Sequence, residues 1–573
     1  MDANDRIIAL KDQADMNPFD YLVNHSPWND DDVIMSLYTI PTNFRDFKSR
    51  VKRIAERLVD CGLGKGDRVT ISLVSSPESV ELVYACCYLG VVPVLADLRL
   101  SVSEMMELCE ETGSRIVFIS DFRGSELFQI SEVNCVEKVV IVSLCDGISP
   151  LLFLVQKPVY LLKKNPYFIQ KHFYRNICEW KKFMSSGTQG GPLPPAASGE
   201  SEMLFTTSGT TGKRKYVRLT GKQINLAVCQ HIMRFDYSEV RTTLSVMPIF
   251  TCYGFMASVH LPLVSGNKLI IHPIYNSDSL PRVMLKYKPN AFSGVISHWE
   301  ELVAYKKAAR EDFSYLKVIL FGGDRCTQQK LDDVNRFLSS HGCGTKLCQG
   351  YGMTEVTAGA VVQDPDHYVS ASVGRPLPFT RICITYPETN NPLPAGQTGE
   401  ICIHTPCQTK GYFNNDEATE NLIRHHDDGL DWVHSGDLGH LDEDGNLYFD
   451  GRIKGMIVSS SGTKLFLPIL QTHAEKLTRG QCCAVALPDS RREYLKRIVL
   501  FAAPSPGSPR MPGKRHLTAA LREVLPMYIL PDRIVYLKRL PLTSSGKTDI
   551  QKLENLAEQI ISGHKHITRK RLK

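Results

Sequence analysis

The sequence predicts an α/β protein of more than one domain, in which helix-covered parallel sheets are followed by a small β subdomain. Three observations predict it. A chain of 573 residues exceeds what one hydrophobic core supports. Apolar runs of strand length alternate with stretches of helical period through the first half, and such alternation implies parallel strands joined by helical crossovers. From Arg381 to Phe449 the rhythm changes to short, turn-bounded strands.

The elements follow in order. Phe44, Phe47, Val51, Ile54 and Leu58 recur at helical spacing, with Thr42 as a candidate N-cap. Arg68–Val74 reads as a strand, and Pro77 opens a second helix that Gly90 can close. Val91–Leu95 and Ile116–Ser120 read as further strands, as do Ala291–Ser297 and Lys317–Gly322 later on. Residues 144–187 mix large apolar and aromatic side chains with seven lysines and arginines, from Lys157 to Lys182. Such a stretch can lie on a membrane surface or meet an acidic partner. The preferred reading is a partly buried helical excursion with snorkelling lysines. Ser185–Glu200 reads as a mobile linker and Pro504–Gly513 as a surface loop.

Composition narrows the function classes. A net charge of +6 gives mild attraction to anionic ligands. The cations are dispersed and no nucleic-acid motif concentrates them, so nucleic acid is not an expected partner. Of the 17 cysteines, many sit inside apolar runs such as Cys86-Cys87 and Cys482-Cys483, where they act as small hydrophobes. Cys343 and Cys348 lack a second ligand pair at zinc spacing. The acidic start, Met1–Asp5, is unlike a signal peptide, and no apolar stretch is long enough to span a bilayer. A reducing, cytoplasmic setting is expected.

Chemistry concentrates first in Thr207-Ser208-Gly209-Thr210-Thr211-Gly212-Lys213-Arg214-Lys215, after the strand-like Met203–Thr206. Glycines let backbone approach a ligand, and amide and hydroxyl donors can wrap phosphate oxygens. It is not a Walker loop, because only Thr210 and Thr211 separate Gly209 from Gly212-Lys213. A flexible turn would look similar. Gln349-Gly350-Tyr351-Gly352-Met353-Thr354-Glu355 joins an aromatic that can stack on a purine to a carboxylate suited to Mg²⁺. His434-Ser435-Gly436-Asp437 offers a ribose-diol acceptor or an Asx turn. Gly451–Gly455 is a hinge or a hairpin, and Pro541–Lys547 ends on a lysine in a flexible loop.

Taken in order, these segments resemble the signatures of the adenylate-forming superfamily: acyl- and aryl-CoA synthetases, nonribosomal-peptide adenylation domains and luciferases. Ser208–Lys213 is similar to its phosphate loop, Tyr351–Glu355 to its Tyr-Gly-x-Thr-Glu signature, Ser435–Asp437 to its Thr-Gly-Asp signature and Gly546-Lys547 to its C-terminal Gly-Lys. The resemblance runs from about Asn43 to about Leu553. It implies a large N-terminal domain, 1–453, and a small mobile α+β domain, 454–573, that rotates about Lys454. It also implies that a carboxylate attacks the ATP α-phosphorus, giving acyl-AMP and pyrophosphate, before a phosphopantetheine thiol takes the acyl group.

The resemblance further implies roles for single residues. Thr207, Ser208, Gly209, Thr210, Thr211, Gly212 and Lys213 would hold the β- and γ-phosphates. Glu355 and Thr210 would hold Mg²⁺, and Lys547 would reach the α-phosphate as charge builds on it. Gly322-Gly323-Asp324 with Gln349, Gly350 and Tyr351 would cradle adenine, beside Gly352 and Thr354, while Asp437 and Arg452 would take the ribose. Amino-acid-activating members carry an aspartate where this chain has Thr251, in Pro248–Gly254. Without that carboxylate an α-ammonium would be left unpaired in a closed pocket. A plain aryl or short-to-medium acyl carboxylate is therefore expected, with Phe250, Thr251, Tyr253, His298, Trp299 and Gly322 as pocket candidates. The thiol would be CoA or a carrier protein in trans. Leu467-Pro468-Ile469-Leu470 lacks the glutamates usual after that proline in the family, which bears on the second half-reaction; the alternatives are an acyl-AMP ligase that activates a fatty acid without using CoA and a stand-alone amino-acid adenylation enzyme.

Overall fold

A computed structural model describes residues 11–123, 127–143, 176–186, 193–208, 214–273, 279–323, 326–387, 389–453, 456–458, 464–489, 492–505, 511–525, 530–543 and 548–561. Of the expectations above, those for Gly209–Lys213, Asp324, Lys454, Lys547 and most of 144–187 lie outside the described residues.

The first strands are β1 (Val33–Leu37) and β2 (Ile40–Asn43). Then come β3 (Arg68–Ser72), β4 (Val92–Leu95), β5 (Ile116–Ser120), β6 (Lys138–Val142), β7 (Ile177–Glu179), β8 (Glu202–Ser208) and β9 (Arg214–Thr220). These last form a seven-stranded sheet in the order β7-β6-β5-β3-β4-β8-β9, parallel except for β9 at its edge. Next are β10 (Thr242–Ser245), β11 (Lys268–Ile271), β12 (Ala291–Gly294), β13 (Val318–Gly322), β14 (Cys348–Tyr351), β15 (Val361–Val362) and β16 (Arg375–Pro376). With β1 and β2 they form a nine-stranded sheet, β16-β15-β14-β13-β12-β10-β11-β1-β2, parallel from β14 through β1.

One core contains residues of both sheets, Met35 and Leu37 of β1 with Val69 and Ile71 of β3. Helix Pro77–Leu89 lies in it with Val80, Val83 and Tyr84 fully buried. It is buried on nearly every side, and of its two buried carboxylates Glu81 pairs with Arg50 at 3.4 Å. Ser76 caps it reciprocally with Ser79, and Gly90 closes it in the left-handed region at φ 73°. Helix Phe44–Asp60 covers the same core with Phe47, Val51, Ile54 and Leu58. Its N-cap is Asn43, whose side chain accepts from the Asp46 amide, so Thr42 sits on β2 and is not the cap.

Two further sequence readings are corrected. Ala291–Ser297 is strand only to Gly294, and helix Ile296–Ala304 begins there, placing His298 in its first turn. Trp299 is fully buried in a core beneath that helix, with Phe292, Ile319 and Phe321. Within residues 176–186, β7 joins the sheet edge and Trp180 and Phe183 pack on Phe118.

The β subdomain contains β17 (Arg381–Thr385), β18 (Gly399–His404), β19 (Ile423–His425), β20 (Asp431–Leu441) and β21 (Leu447–Arg452), an antiparallel sheet. A hairpin of β22 (Met456–Val458) and β23 (Lys464–Phe466) follows. A smaller sheet of β24 (Gly480–Asp489), β25 (Arg492–Pro504) and β26 (Arg533–Tyr536) completes the fold. Its two faces have separate cores. Cys482 and Ala484 face helices Leu467–Thr478 and Lys514–Val524, whereas Cys483 and Val485 face helix Ile550–Ile561. The strand period of two thus sends the adjacent cysteines into opposite cores. Burial pushes the Cys482 thiol up to about 12. Every cysteine among the described residues is free, and no described helix is long and apolar enough to cross a membrane.

Candidate active site

Ligands of open parallel sheets bind beyond the carboxyl ends of the strands. Here β10, β12, β13 and β14 are neighbours in one parallel run, and the segments leaving them carry most of the candidate residues. Phe250, Thr251 and Tyr253 follow β10. His298 follows β12, Gly322 ends β13 with Gly323 just beyond, and Tyr351–Glu355 follows from β14.

Thr251 is the N-cap of helix Cys252–Phe255: its hydroxyl accepts from the Gly254 amide at 2.9 Å and donates to the Pro248 carbonyl at 2.8 Å. Gly254 is required beside it, because a Cβ there would stand 1.9 Å from the Pro248 oxygen. The helix then passes through a π turn, Met256–His260, a deviation that often marks functional sites. Beneath it His260 Nε2 donates to Asn225 Oδ1 at 3.0 Å and Nδ1 accepts from Tyr84 at 2.9 Å. The Asn225 amide is already donating to the Ala14 and Met16 carbonyls, which sets these roles. Burial depresses His260 to about 3.

Tyr253 donates to the Gly294 carbonyl at 3.1 Å, drawing the β10 segment onto the end of β12. His298 is buried against Phe292, its Nδ1 accepting from the Val295 amide at 3.3 Å, and burial lowers it to about 3. It is therefore a neutral imidazole at physiological pH. Phe250 is buried in the core shared by the sheets. Gly322 pairs with Gly350 in register, and a Cβ on Gly322 would approach the Gly350 oxygen to 3.1 Å. Gln349, between the glycines and Cys348, receives its order from Gln363, which accepts from its amide at 2.8 Å.

The turn after β14 is built around Gly352, where a Cβ would sit 1.7 Å from the Ala358 oxygen. Only glycine fits, and the next residues wind into a short 3₁₀ turn, Thr354–Val356, that directs Glu355 inward. The Glu355 carboxylate is buried and Oε1 accepts from the Tyr412 phenol at 2.7 Å. That phenol is pushed up by burial and by the carboxylate. Lys215, leaving the Thr207–Lys215 segment, lies 4.4 Å over the Tyr412 ring, and Phe413 donates to the Tyr216 carbonyl. Tyr412 thereby ties the β8–β9 hairpin, which carries Thr207 and Ser208 on β8, to Glu355. A carboxylate is a hard oxygen donor of the kind Mg²⁺ takes.

Asp437 and Arg452 are register partners on β20 and β21, and their side chains pair at 3.1 Å. The other Asp437 oxygen accepts from the Tyr351 phenol at 2.9 Å. The β subdomain is thus joined to the end of β14 by one hydroxyl. Burial, then the Asp437 charge, pushes that phenol up.

The sequence did not single out Tyr412. It stands 57 residues from Glu355, and no spacing rule connects them. The structure does bring together Phe250, Thr251, Tyr253, His298, Gly322, Gly323, Gln349, Gly350, Tyr351, Gly352, Thr354 and Glu355 at the carboxyl ends of four neighbouring strands, with Asp437 and Arg452 joined to them through Tyr351.

Residues 28–413 match the AMP-binding enzyme family and residues 480–547 the AMP-binding enzyme C-terminal domain. A feruloyl-CoA synthase of Amycolatopsis is 27% identical over 508 residues, covering 88% of this chain and 91% of that protein. A long-chain-fatty-acid–CoA ligase of Bacillus subtilis is 26% identical over 529 residues, covering 90% of each. Among solved structures, ATP-bound MatB from Rhodopseudomonas palustris superposes with a TM-score of 0.77 at 19% identity, over 96% of this chain and all of that one (100%). With the family's model matched across most of the sequence, the chain belongs to the AMP-binding enzymes and is an adenylate-forming ligase.

Proposed function

We propose that this ligase activates an aryl or short-to-medium acyl carboxylate with ATP and passes the acyl group to the thiol of CoA. The observation that carries the reading is the convergence of Thr251, His298, Gly322 and Glu355 at the ends of four neighbouring parallel strands. Acid, adenine and triphosphate would then meet in one crevice. The CoA ligases among the relatives support CoA as the acceptor.

Carboxylate and triphosphate are both anions, so the site must offset their repulsion and align them for attack. A carboxylate oxygen would attack the α-phosphorus as the bond to the bridging oxygen breaks and pyrophosphate leaves. Thr207, Ser208, Gly209, Thr210, Thr211, Gly212 and Lys213 would hold the departing phosphates, and Lys547 would meet the charge on the α-phosphate. Gly322, Gly323, Asp324, Gln349, Gly350, Tyr351, Gly352 and Thr354 would frame the nucleotide, with Asp437 and Arg452 at the ribose. Mg²⁺, held by Glu355 and Thr210, would supply charge neutralisation at the phosphates. The thiolate of CoA then attacks the acyl carbonyl and AMP departs, the thiol proton passing to water. Residues 1–453 would form the body and 454–573 a lid turning about Lys454 between the two steps.

The pocket is built for a plain acid. Thr251 provides no charge for an α-ammonium, and His298 is neutral. Phe250, Tyr253 and the buried His298 ring favour a flat or compact group. Leu467–Leu470 begins helix Leu467–Thr478 with no glutamate, which favours a second reading in which catalysis stops at acyl-AMP. Carboxylate-dependent ATP–pyrophosphate exchange across aryl, fatty and amino acids, followed by thioester detection with CoA, tests both. Exchange with an α-amino acid alone overturns the substrate assignment, and exchange without thioester selects the second reading.

A further inference from the structure

We propose that Cys402, His426 and His434 form a zinc site inside the β subdomain, with Glu400 orienting His434. Cys402 and His434 are register partners on β18 and β20, and His426 opens the turn that leads into β20. All three side chains are buried, and their donor atoms lie within 4.8 Å of one another. The proposal does not depend on the adenylation reading.

The chemistry of the trio fits zinc. A thiolate with two imidazoles is a ligand set zinc takes, leaving a fourth position to water. With metal–nitrogen distances near 2.0 Å and metal–sulfur near 2.3 Å, tetrahedral edges come to roughly 3.3 Å between nitrogens and roughly 3.6 Å from nitrogen to sulfur. His426 Nε2 and His434 Nε2 stand 3.0 Å apart, and Cys402 Sγ is 3.8 Å from His434 Nε2. Sγ also lies 3.5 Å from His434 Nδ1, so the thiol flanks the ring and must turn about its Cα–Cβ bond to reach an ion at the ring edge.

Second-sphere order is already present. Glu400, on β18 two residues before Cys402, faces His434 across the strand pair. Its Oε2 accepts from His434 Nδ1 at 3.1 Å. With the proton on Nδ1, the lone pair of Nε2 points outward, the carboxylate–histidine arrangement typical of zinc ligands. In the metal-free protein that lone pair accepts the His426 Nε2 hydrogen. An entering ion takes the place of this shared hydrogen, the His426 proton moves to Nδ1, and the Cys402 thiol loses its proton to solvent. One divalent ion thus enters and one proton leaves. The thiolate offsets part of the ion's charge in this buried site.

The site is one hydrogen-bonded step from the nucleotide end of the subdomain. The second Glu400 oxygen accepts from the Gly436 amide at 3.1 Å, next to Asp437. The turn at Gly429 and Leu430 holds the His426 backbone by two hydrogen bonds.

The test is a Co²⁺ and Zn²⁺ titration of the full-length, metal-free protein. The expected result is one equivalent bound with a thiolate-to-cobalt charge-transfer band and a Zn²⁺-raised Tm. Cys402→Ser and His426→Asn should remove the band while circular dichroism stays native. Glu400→Gln should weaken binding about 10–100-fold. His425→Asn, at the exposed neighbour, should bind as wild type does. A folded wild-type protein that gives no thiolate band, or a band that Cys402→Ser leaves unchanged, overturns the proposal. It would leave the trio as a hydrogen-bonded relay only.

Discussion

Thr251→Asp separates a structural role from a functional one at a single position. Asp caps helices as well as Thr does, so the cap on the Gly254 amide survives, but the donation to the Pro248 carbonyl is lost and stability should fall by about 1–3 kcal/mol. The new charge is the functional perturbation. At about 4–6 Å from a bound carboxylate, with an effective dielectric constant near 20, two like charges repel by about 3–4 kcal/mol. That corresponds to about two to three orders of magnitude in kcat/KM for a plain acid. ATP–pyrophosphate exchange with the preferred acid is the assay, with urea unfolding as the control for the fold. A soluble, stable Thr251→Asp protein that exchanges at the wild-type rate would show that this side chain does not face the acid. The reasoning about the substrate class would then fail with it. Thr251→Ala complements it, because losing the cap alone should cost about 0.5–2 kcal/mol and leave the choice of acid unchanged.

Tyr412→Phe keeps the ring beneath Lys215 but removes the hydrogen bond to Glu355, a contact to a charged group worth about 1.5–3 kcal/mol. Exchange should fall about tenfold or more with a higher Mg²⁺ requirement, and an unchanged Mg²⁺ profile would refute the positioning role. Lys547→Ala should slow adenylation about 10²–10³-fold while ATP still binds, and unchanged exchange for every acid tested would remove Lys547 from the chemistry. His260 and His298, both lowered to about 3 by burial, predict acid sensitivity. Between about pH 6.5 and 3 the unfolded chain binds protons that the native state refuses, so stability is full above this window and falls as pH drops through it. Urea unfolding at pH 7 and 5 should show the loss, His298→Asn should lessen it, and a pH-independent midpoint would contradict the buried, neutral assignment.

Local signals were legible wherever a single element carried them. The spacing from Phe44 to Leu58 located a helix almost to its ends, and Pro77 with Gly90 bracketed another. Choosing between adjacent cap-forming residues was beyond local pattern: Thr42 and Asn43 are both good caps, and it is the Asn43 side chain that the Asp46 amide reaches, at 2.7 Å. Val295 and Ile296 extend the β12 run with strand-favouring side chains, yet the helix starts at Ile296 because tertiary packing overrides propensity. The phosphate-loop and Tyr-Gly-x-Thr-Glu segments stood out because each is compact and contiguous. Tyr412 and the Cys402–His426–His434 trio did not, because strand register and sheet-to-sheet contact create them.

Two phenols show how the parts become one site. Tyr351 and Tyr412 each donate to a buried carboxylate on another element, Asp437 in the β subdomain and Glu355 beyond β14. A phenol held this way is a donor with a fixed direction, because its pKa is raised and it does not compete for the proton. Each carboxylate gains orientation from a neutral donor, which a lysine or arginine partner would supply only by cancelling charge. Arg452 pairs with Asp437 as well, but its side chain is 58% exposed, so solvent weakens that pairing, and in the proposed reaction a ribose would displace it more readily than the buried Tyr351 contact. The site therefore holds its acids by neutral donors from inside and leaves the exchangeable partner on the open side, the arrangement expected where a polar ligand must enter and leave in every turnover.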